Sequence, residues 1–359
     1  MQSHERLMAL ARRRLGAAKM VFIPPMRQAG ALRLRRILSA MIACAGTILL
    51  AIATSPAQPA AGYPRKPVHV LVPYGPGGVA DLTMRLLGEK LGNSLKQQFV
   101  IENRPGAGGI VAMRDLLRSP ADGYTLGEMG NGQTISASLF NKLPYDVLKD
   151  FTPISVAGSF EVMLAVADAS AYRTLNDVVD AARKSPGKLN LGAINPGSTQ
   201  NLSAHLFQQI AGVDFTIITY RTTPDLLTAL LRGDVTLGFD YYAALQGVIA
   251  PGKLRIIATS GEHRNPLLNN VPTGKESGFP NYIVNSWNGL AGPAGLPMDL
   301  VKLVNMEIGR ALAAPDFQQK ANSLGIDATG STPDEMHARM AQDIVKWREV
   351  IDRAGIAKQ

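Results

Sequence analysis

An apolar strand that runs into a glycine-rich turn and then a helix restricts a chain to few architectures, and Val68 to Asp81, VHVLVPYGPGGVAD, reads that way. The pattern recurs. Strands are expected near 68–74, 98–102 and 124–130, with helices near 80–91 and 109–118 between them. This is the βαβ order of a parallel sheet. The first junction also makes an anion site. A helix start carries unpaired N–H groups and the positive end of the peptide dipole, and Gly77 and Gly78 allow close approach to the main chain.

Two kinds of anion fit this turn. Gly75, Gly77 and Ala80 satisfy a G-x-G-x-x-A dinucleotide fingerprint, with Glu102 downstream on a second strand, so a dinucleotide-dependent oxidoreductase is one reading. Against it, Pro73 and Pro76 flank the turn, and Asp81 places negative charge in the first helical turn, where a pyrophosphate would be repelled.

The N-terminal segment favours an exported protein. Arg33, Arg35 and Arg36 precede an apolar run of about 17 residues, Ile37 to Ala53, and the small-residue stretch TSPAQPAAG follows. Residues 1–61 therefore read as a signal peptide with an N-terminal extension, and Met20 or Met26 is a candidate true start. An uncleaved anchor and lipidation at Cys44 are weaker alternatives, and the Arg35-Arg36 pair leaves Sec and twin-arginine export both open. The segment holds nine Lys and Arg and one acid, Glu5. Removing it from totals of 37 basic and 28 acidic residues leaves 28 and 27, a net charge of +1. The basic balance thus belongs to the leader and gives no reason to expect nucleic-acid binding. Cys44, the only cysteine, leaves with it, so the exported chain carries no disulfide or thiolate metal site.

The strand and helix alternation continues. Thr174 and Asp177 open a helix that Pro186-Gly187 stops, and LNLGAI supplies a strand. Then come helix 198–211, strand DFTIITY, helix 224–232 with Thr223 as N-cap, strand VTLGFDYY, helix 243–250 and strand LRIIATS. Two parallel-sheet lobes account for this economically. Near the C-terminus, Thr332-Pro333-Asp334-Glu335 combines an N-cap, a proline and a capping-box glutamate. Met336, Met340, Ile344, Trp347 and Ile351 follow on one face, which predicts a helix packed on a lobe.

Catalytic chemistry finds little support. There is no G-x-S-x-G elbow, and His69, His205, His263 and His337 are scattered. Ser185-x-x-Lys188 lacks its partner motifs. The near-Walker stretch Gly247 to Leu254 has leucine where magnesium needs a hydroxyl. No H-E-x-x-H or calcium loop suggests a metal, so neither metal nor cofactor is expected. A binding protein remains. The junction AINPGSTQNL, 193–202, mirrors the first, with Ser198 and Thr199 placed to donate hydroxyls or cap the helix. Open α/β sheets bind ligands beyond the carboxyl ends of their strands, so the two junctions would face one interlobe cleft. Asp240 and Tyr241 end a strand at the same level, the tyrosine as a flat wall and the aspartate as ligand contact or loop anchor. Asn131, just after the strand near 124–130, joins the candidate ligand-binding set. Hydrogen bonds to a charged group contribute about 1.5 to 3 kcal/mol each, so three or four neutral donors, less desolvation, approach the roughly 8 kcal/mol of micromolar binding.

The chain resembles the Bug family of extracytoplasmic solute-binding receptors, the binding component of tripartite tricarboxylate transporters. The resemblance rests on YPRKPVHVLVPYGPGGVAD, ENRPGAGG at 102–109, PADGYTL at 120–126, LPYD at 143–146 and SPGKLN at 185–190. It continues through PGKLR at 251–255, VPT at 271–273, WNGLAGPAGLP at 287–297 and AGI at 354–356. It implies a two-lobed, type II-like periplasmic binding protein fold in the α/β class, each lobe a mainly parallel sheet flanked by helices. The ligand would lie in the interlobe cleft, a small carboxylate held by main-chain donors and ordered water. Carried onto this chain, the first ligand loop is Tyr74, Gly77, Gly78 and Asp81, and the second Asn195, Gly197, Ser198 and Thr199. Asn195 stands for a usual glycine, Asn201 for a usual histidine, and Thr222 for the glycine that usually follows the Tyr-Lys pair.

The expected protein is a monomeric periplasmic receptor, not an enzyme, that hands a small carboxylic acid to integral membrane permease subunits. One lobe is expected to hold residues 62–165 and 286–359, the other 166–285, joined by two crossings that form a hinge. An ABC-importer binding protein would share the fold and differ only in its permease.

Overall fold

A computed structural model describes residues 62–194 and 197–359. The expected leader, residues 1–61, and Asn195 of the second loop lie outside the described residues.

The first half opens with β1 (Val68–Val72), α1 (Val79–Leu95), β2 (Phe99–Asn103), α2 (Ile110–Leu117), β3 (Thr125–Gly130) and α3 (Asn131–Leu139). β1 lies between β2 and β3, and all three run parallel. After β4 (Phe151–Ala167), the second half repeats the scheme: α4 (Leu175–Lys184), β5 (Asn190–Ile194), α5 (Thr199–Ala211), β6 (Thr216–Tyr220), α6 (Thr223–Arg232), β7 (Leu237–Tyr241), α7 (Tyr242–Ile249) and β8 (Leu254–Thr259). Here β5 lies between β6 and β7, again all parallel. The local signals act as the sequence anticipates at Thr174 with Asp177, which form a capping box. At α6 the cap is Thr222, one residue earlier than expected, because its hydroxyl accepts the Asp225 N–H and Pro224 follows inside the first turn.

Strand β4 joins the halves. Residues 151–161 pair antiparallel with β9 (Asn285–Pro293), and β9 pairs antiparallel with β3. From Val162 onward β4 pairs instead with β7 and β8, also antiparallel. Each half-sheet is therefore a parallel trio extended by antiparallel strands. β4 is buried for most of its length, and half-buried Ser159 and Phe160 fall just before it changes partners.

Three helices complete the chain: α8 (Met298–Leu312), α9 (Pro315–Ser323) and α10 (Pro333–Arg353). α10 begins with the capping box of Thr332 and Glu335. Its apolar face does not serve one lobe, as the sequence suggests, but two. Met336, Met340 and Ile344 pack with Leu71, Met113 and Met129 of the first half and Trp287 of β9. One turn later, Trp347, Val350 and Ile351 join Phe207, Phe239 and Tyr282 of the second. Polar contacts fix the helix to the crossing segments. Trp287 Nε1 donates to Asp343 at 2.6 Å, Arg339 donates to Ser159 Oγ at 3.0 Å, and Lys346 Nζ donates to the Ile283 carbonyl at 2.8 Å. α10 is thus a third link beside β4 and the approach to β9.

Candidate functional site

The first glycine loop, between β1 and α1, is exposed from Tyr74 to Gly78. Gly77 has φ +84, a conformation that favours glycine. Its N–H is not free for a ligand, since it donates to Asp81 Oδ2 at 2.9 Å. Asp81 is only 2 % exposed. Its other partners are Arg85, whose Nε donates to Oδ2 at 3.0 Å, and Asn103, whose Nδ2 donates to Oδ1 at 2.9 Å. Burial works against its charge, but the bonds from Arg85, Gly77 and Asn103 prevail and hold its pKa below the ordinary value. Asp81 therefore braces the loop from beneath. No side chain caps α1, so its first-turn N–H groups open beside the exposed glycines.

The second loop repeats this construction. Gly197 has φ +75 and donates its N–H to Asn201 Oδ1 at 3.0 Å, four residues ahead, as Gly77 does to Asp81. The usual histidine is replaced by an amide that performs the same bracing. Here the helix is capped: Ser198 Oγ accepts the Asn201 N–H at 3.1 Å and itself donates to the Ile194 carbonyl. Ser198 thus serves the turn, while Thr199 is 5 % exposed and faces Tyr241.

Helix α3 touches both loops. A Cβ on Gly132, near its start, would lie 1.9 Å from the Tyr74 hydroxyl, and a Cβ on Gly197 would lie 2.2 Å from Leu139 Cδ2 at its end. Seven residues of helix separate those contacts, roughly 10 Å at 1.5 Å per residue. Tyr74 is 38 % exposed as a residue, with its hydroxyl end against α3 at Gly132. Burial, then the nearby Glu128, Tyr241 and Tyr145, push its pKa well up. Tyr241 packs edge-on against Phe160, with centroids 4.8 Å apart. Burial raises its pKa to about 12 against the opposing hydroxyls of Ser286 and Thr199.

Asp240, 1 % exposed, accepts from Gln200 at 3.1 Å, Thr223 at 2.6 Å and the Tyr241 N–H at 2.8 Å. Burial raises its pKa and those three bonds offset part of the rise. Of its two sequence readings, loop anchor describes it. Asn131 is 2 % exposed, and neither atom of its side-chain amide has a partner among the described residues. Sequence reasoning missed two neighbours of the same kind, Glu128 and Asn288. Their signals, a lone acid in an apolar strand and an asparagine in a Gly-rich one, were faint.

The dinucleotide alternative loses its main parts. Glu102, needed for a ribose, is held by His69 Nδ1 at 2.5 Å and Arg104 at 2.8 Å. The N–H of Gly77 is already bonded. Among the described residues no group of three or more His, Cys, Asp or Glu could hold a metal ion.

A family model described as the tripartite tricarboxylate transporter family receptor matches residues 83–356. BugT of Bordetella pertussis is 29 % identical over 295 residues, covering 82 % of this chain and 90 % of BugT. Among solved structures, Rpa4515 of R. palustris with adipate is 31 % identical with a TM-score of 0.75, covering 82 % of this chain and 99 % of that one. The periplasmic binding protein BugD is 27 % identical with a TM-score of 0.73, covering 83 % of this chain and 100 % of BugD.

Proposed function

The chain belongs to the tripartite tricarboxylate transporter receptor family, a family of periplasmic solute-binding receptors, and on that premise we propose that it captures a small carboxylic acid between its two glycine loops. In this reading the protein is exported by removal of residues 1–61, acts as a monomer without chemical turnover, and delivers its ligand to integral membrane permease subunits. The lobes are 62–165 with 286–359 and 166–285, with α10 shared between them.

The observation that carries the reading is the pair of matched loops on one short helix. One end of the acid sits at the uncapped start of α1, over Gly77 and Gly78 and beside Tyr74. Asp81, Gly197 and Asn201 hold the loops in shape, and Thr199 and Tyr241 form the opposite wall, anchored from behind by Asp240. Arg85, at the first loop, is committed to Asp81 and Asn103. The adipate in the Rpa4515 structure is a ligand of the chemical class proposed.

Calorimetric titration with adipate, malate, citrate, hexanoate and NADH tests the proposal. Binding of at least one acid and no binding of NADH is expected, and the reverse would overturn it. Gly78→Val sharpens the test, because a Cβ there meets only the Gly75 carbonyl at 3.9 Å. The variant should unfold at the wild-type temperature and lose the acid; undiminished affinity would refute the loop's role.

A further inference from the structure

Near Tyr74, three buried polar residues stand close to Gly130 in the chain or across the strands, Glu128 two before it, Asn131 one after it and Asn288 paired with it, and their side chains leave hydrogen bonds unmade. Glu128 is 1 % exposed, Asn131 2 % and Asn288 1 %. Among the described residues, Glu128 Oε2 and all four amide atoms of the two asparagines have no partner. Gly130 pairs with Asn288 across β3 and β9, and Glu128 lies two residues before it, so Glu128 and Asn288 share a face of the sheet. A Cβ on Gly130 would sit 3.1 Å from Glu128 Oε1, and one on Gly158 would sit 3.8 Å from Asn288 Oδ1. Buried polar groups are nearly always paired, so three such side chains together mark a place that something else completes.

Resting on the carboxylate reading above, we propose that this trio is the specificity subsite, where the Glu128 carboxyl donates a hydrogen bond to an oxygen at the far end of the ligand and the two asparagine amides complete the ring of contacts. The chemical class is then a dicarboxylate, or an acid with an acceptor-bearing far end, rather than a simple fatty acid. An ionised Glu128 would repel a second carboxylate, whereas a protonated one is a donor. Burial raises its pKa to about 8, so it carries its proton at neutral pH. Tyr74, from the β1–α1 loop, is a titratable group placed near Glu128, with Tyr241 and Tyr145 close by. Among the described residues β3, β9 and α3 carry no Lys or Arg; β9 contributes Asn288, and α3 contributes Asn131 and Gln133.

Calorimetry of the full mature chain with adipate and hexanoate, from pH 6.5 to 9.5, tests this. Adipate affinity should be flat below pH 8 and fall about tenfold per pH unit above it, with hexanoate binding weakly and without that slope. Glu128→Gln should bind adipate with one affinity across the range, since an amide donor does not titrate. At pH 7 the infrared carbonyl band of a protonated carboxylic acid should be present in the wild type and lost in Glu128→Gln. Acid binding with no pH slope, no such band, or an unchanged slope in Glu128→Gln would overturn the subsite while leaving the receptor reading intact. If no acid binds at any pH, the receptor reading falls and takes this one with it.

Discussion

Gly130 and Gly132 stand two residues apart at the start of α3, and alanine at each should give opposite results. A Cβ on Gly132 would come within 1.9 Å of the Tyr74 hydroxyl and 3.2 Å of its Cζ, with nothing nearer than 3.8 Å besides. The obstacle is the tip of a side chain that can swing outward into the exposed loop. The backbone gains, because Ala is favoured over Gly within a helix by about 0.5 to 1 kcal/mol. Gly132→Ala should therefore keep or slightly raise thermal stability while displacing Tyr74 from the cleft. Loss of one hydrogen bond to a charged ligand, about 1.5 to 3 kcal/mol, weakens acid binding roughly 10- to 150-fold. At Gly130 the added Cβ meets the Trp287 carbonyl at 2.4 Å and the Asn288 Cα at 3.3 Å, both backbone in the paired strand. The strands must separate, at the about 1 to 3 kcal/mol of overpacking, lowering the melting temperature by a few degrees for a chain of this size. Scanning calorimetry and titration with the best-bound acid measure both quantities. A Gly132→Ala protein that binds normally, or a Gly130→Ala protein that melts with the wild type, would refute the assignment of Tyr74 to the cleft or the close strand approach.

Three further outcomes are expected. Asp81 has a lowered folded pKa, so its contribution to stability is full above its ordinary value of 3.8 and is lost as pH falls through the folded value. Asp81→Asn should flatten that part of the acid limb in urea unfolding at pH 2 to 5; an unchanged limb would show that its three bonds do not stabilise the fold. Trp347→Ala empties a site 1 % exposed where α10 enters the second core, and should cost about 3 to 5 kcal/mol in denaturant unfolding, whereas a cost under about 1 kcal/mol would deny the helix that anchoring. Mature protein from the periplasm of an expressing cell should begin between Ser55 and Gly62 by N-terminal sequencing and elute as a monomer; an intact residue 1–61 segment would contradict export by cleavage.

Most repeating elements were legible because their punctuation is local. Thr174 with Asp177, Thr332 with Glu335, and the glycines after β1 and β5 each mark a boundary within a few residues. The two antiparallel strands that unite the halves were not. β4 is buried on both faces and so lacks alternation, carries Pro153, and shifts register twice against β9. β9 contains Gly289, where a Cβ would be 2.4 Å from the Ser155 carbonyl; closeness of two backbones demands glycine, and glycine erases the strand signal. At the candidate site, the glycine turns are legible in the sequence, but how their neighbours bond is not. Asp81 and Asn201 were visible as residue types, yet only the fold reveals that each turns back to bond a glycine four positions earlier. Glu128 and Asn288 take their character from burial, which a single acid or amide in a strand does not announce.

The span of α10 constrains how the molecule can move. A rod gripped at Ile344 on one side and Trp347 on the other resists any parting of the halves that would bend it, since bending there strains hydrogen bonds in the single turn between the grips. Twisting about the rod's long axis leaves those bonds intact. Any motion of the halves against each other is then expected to be a swivel rather than a yawn.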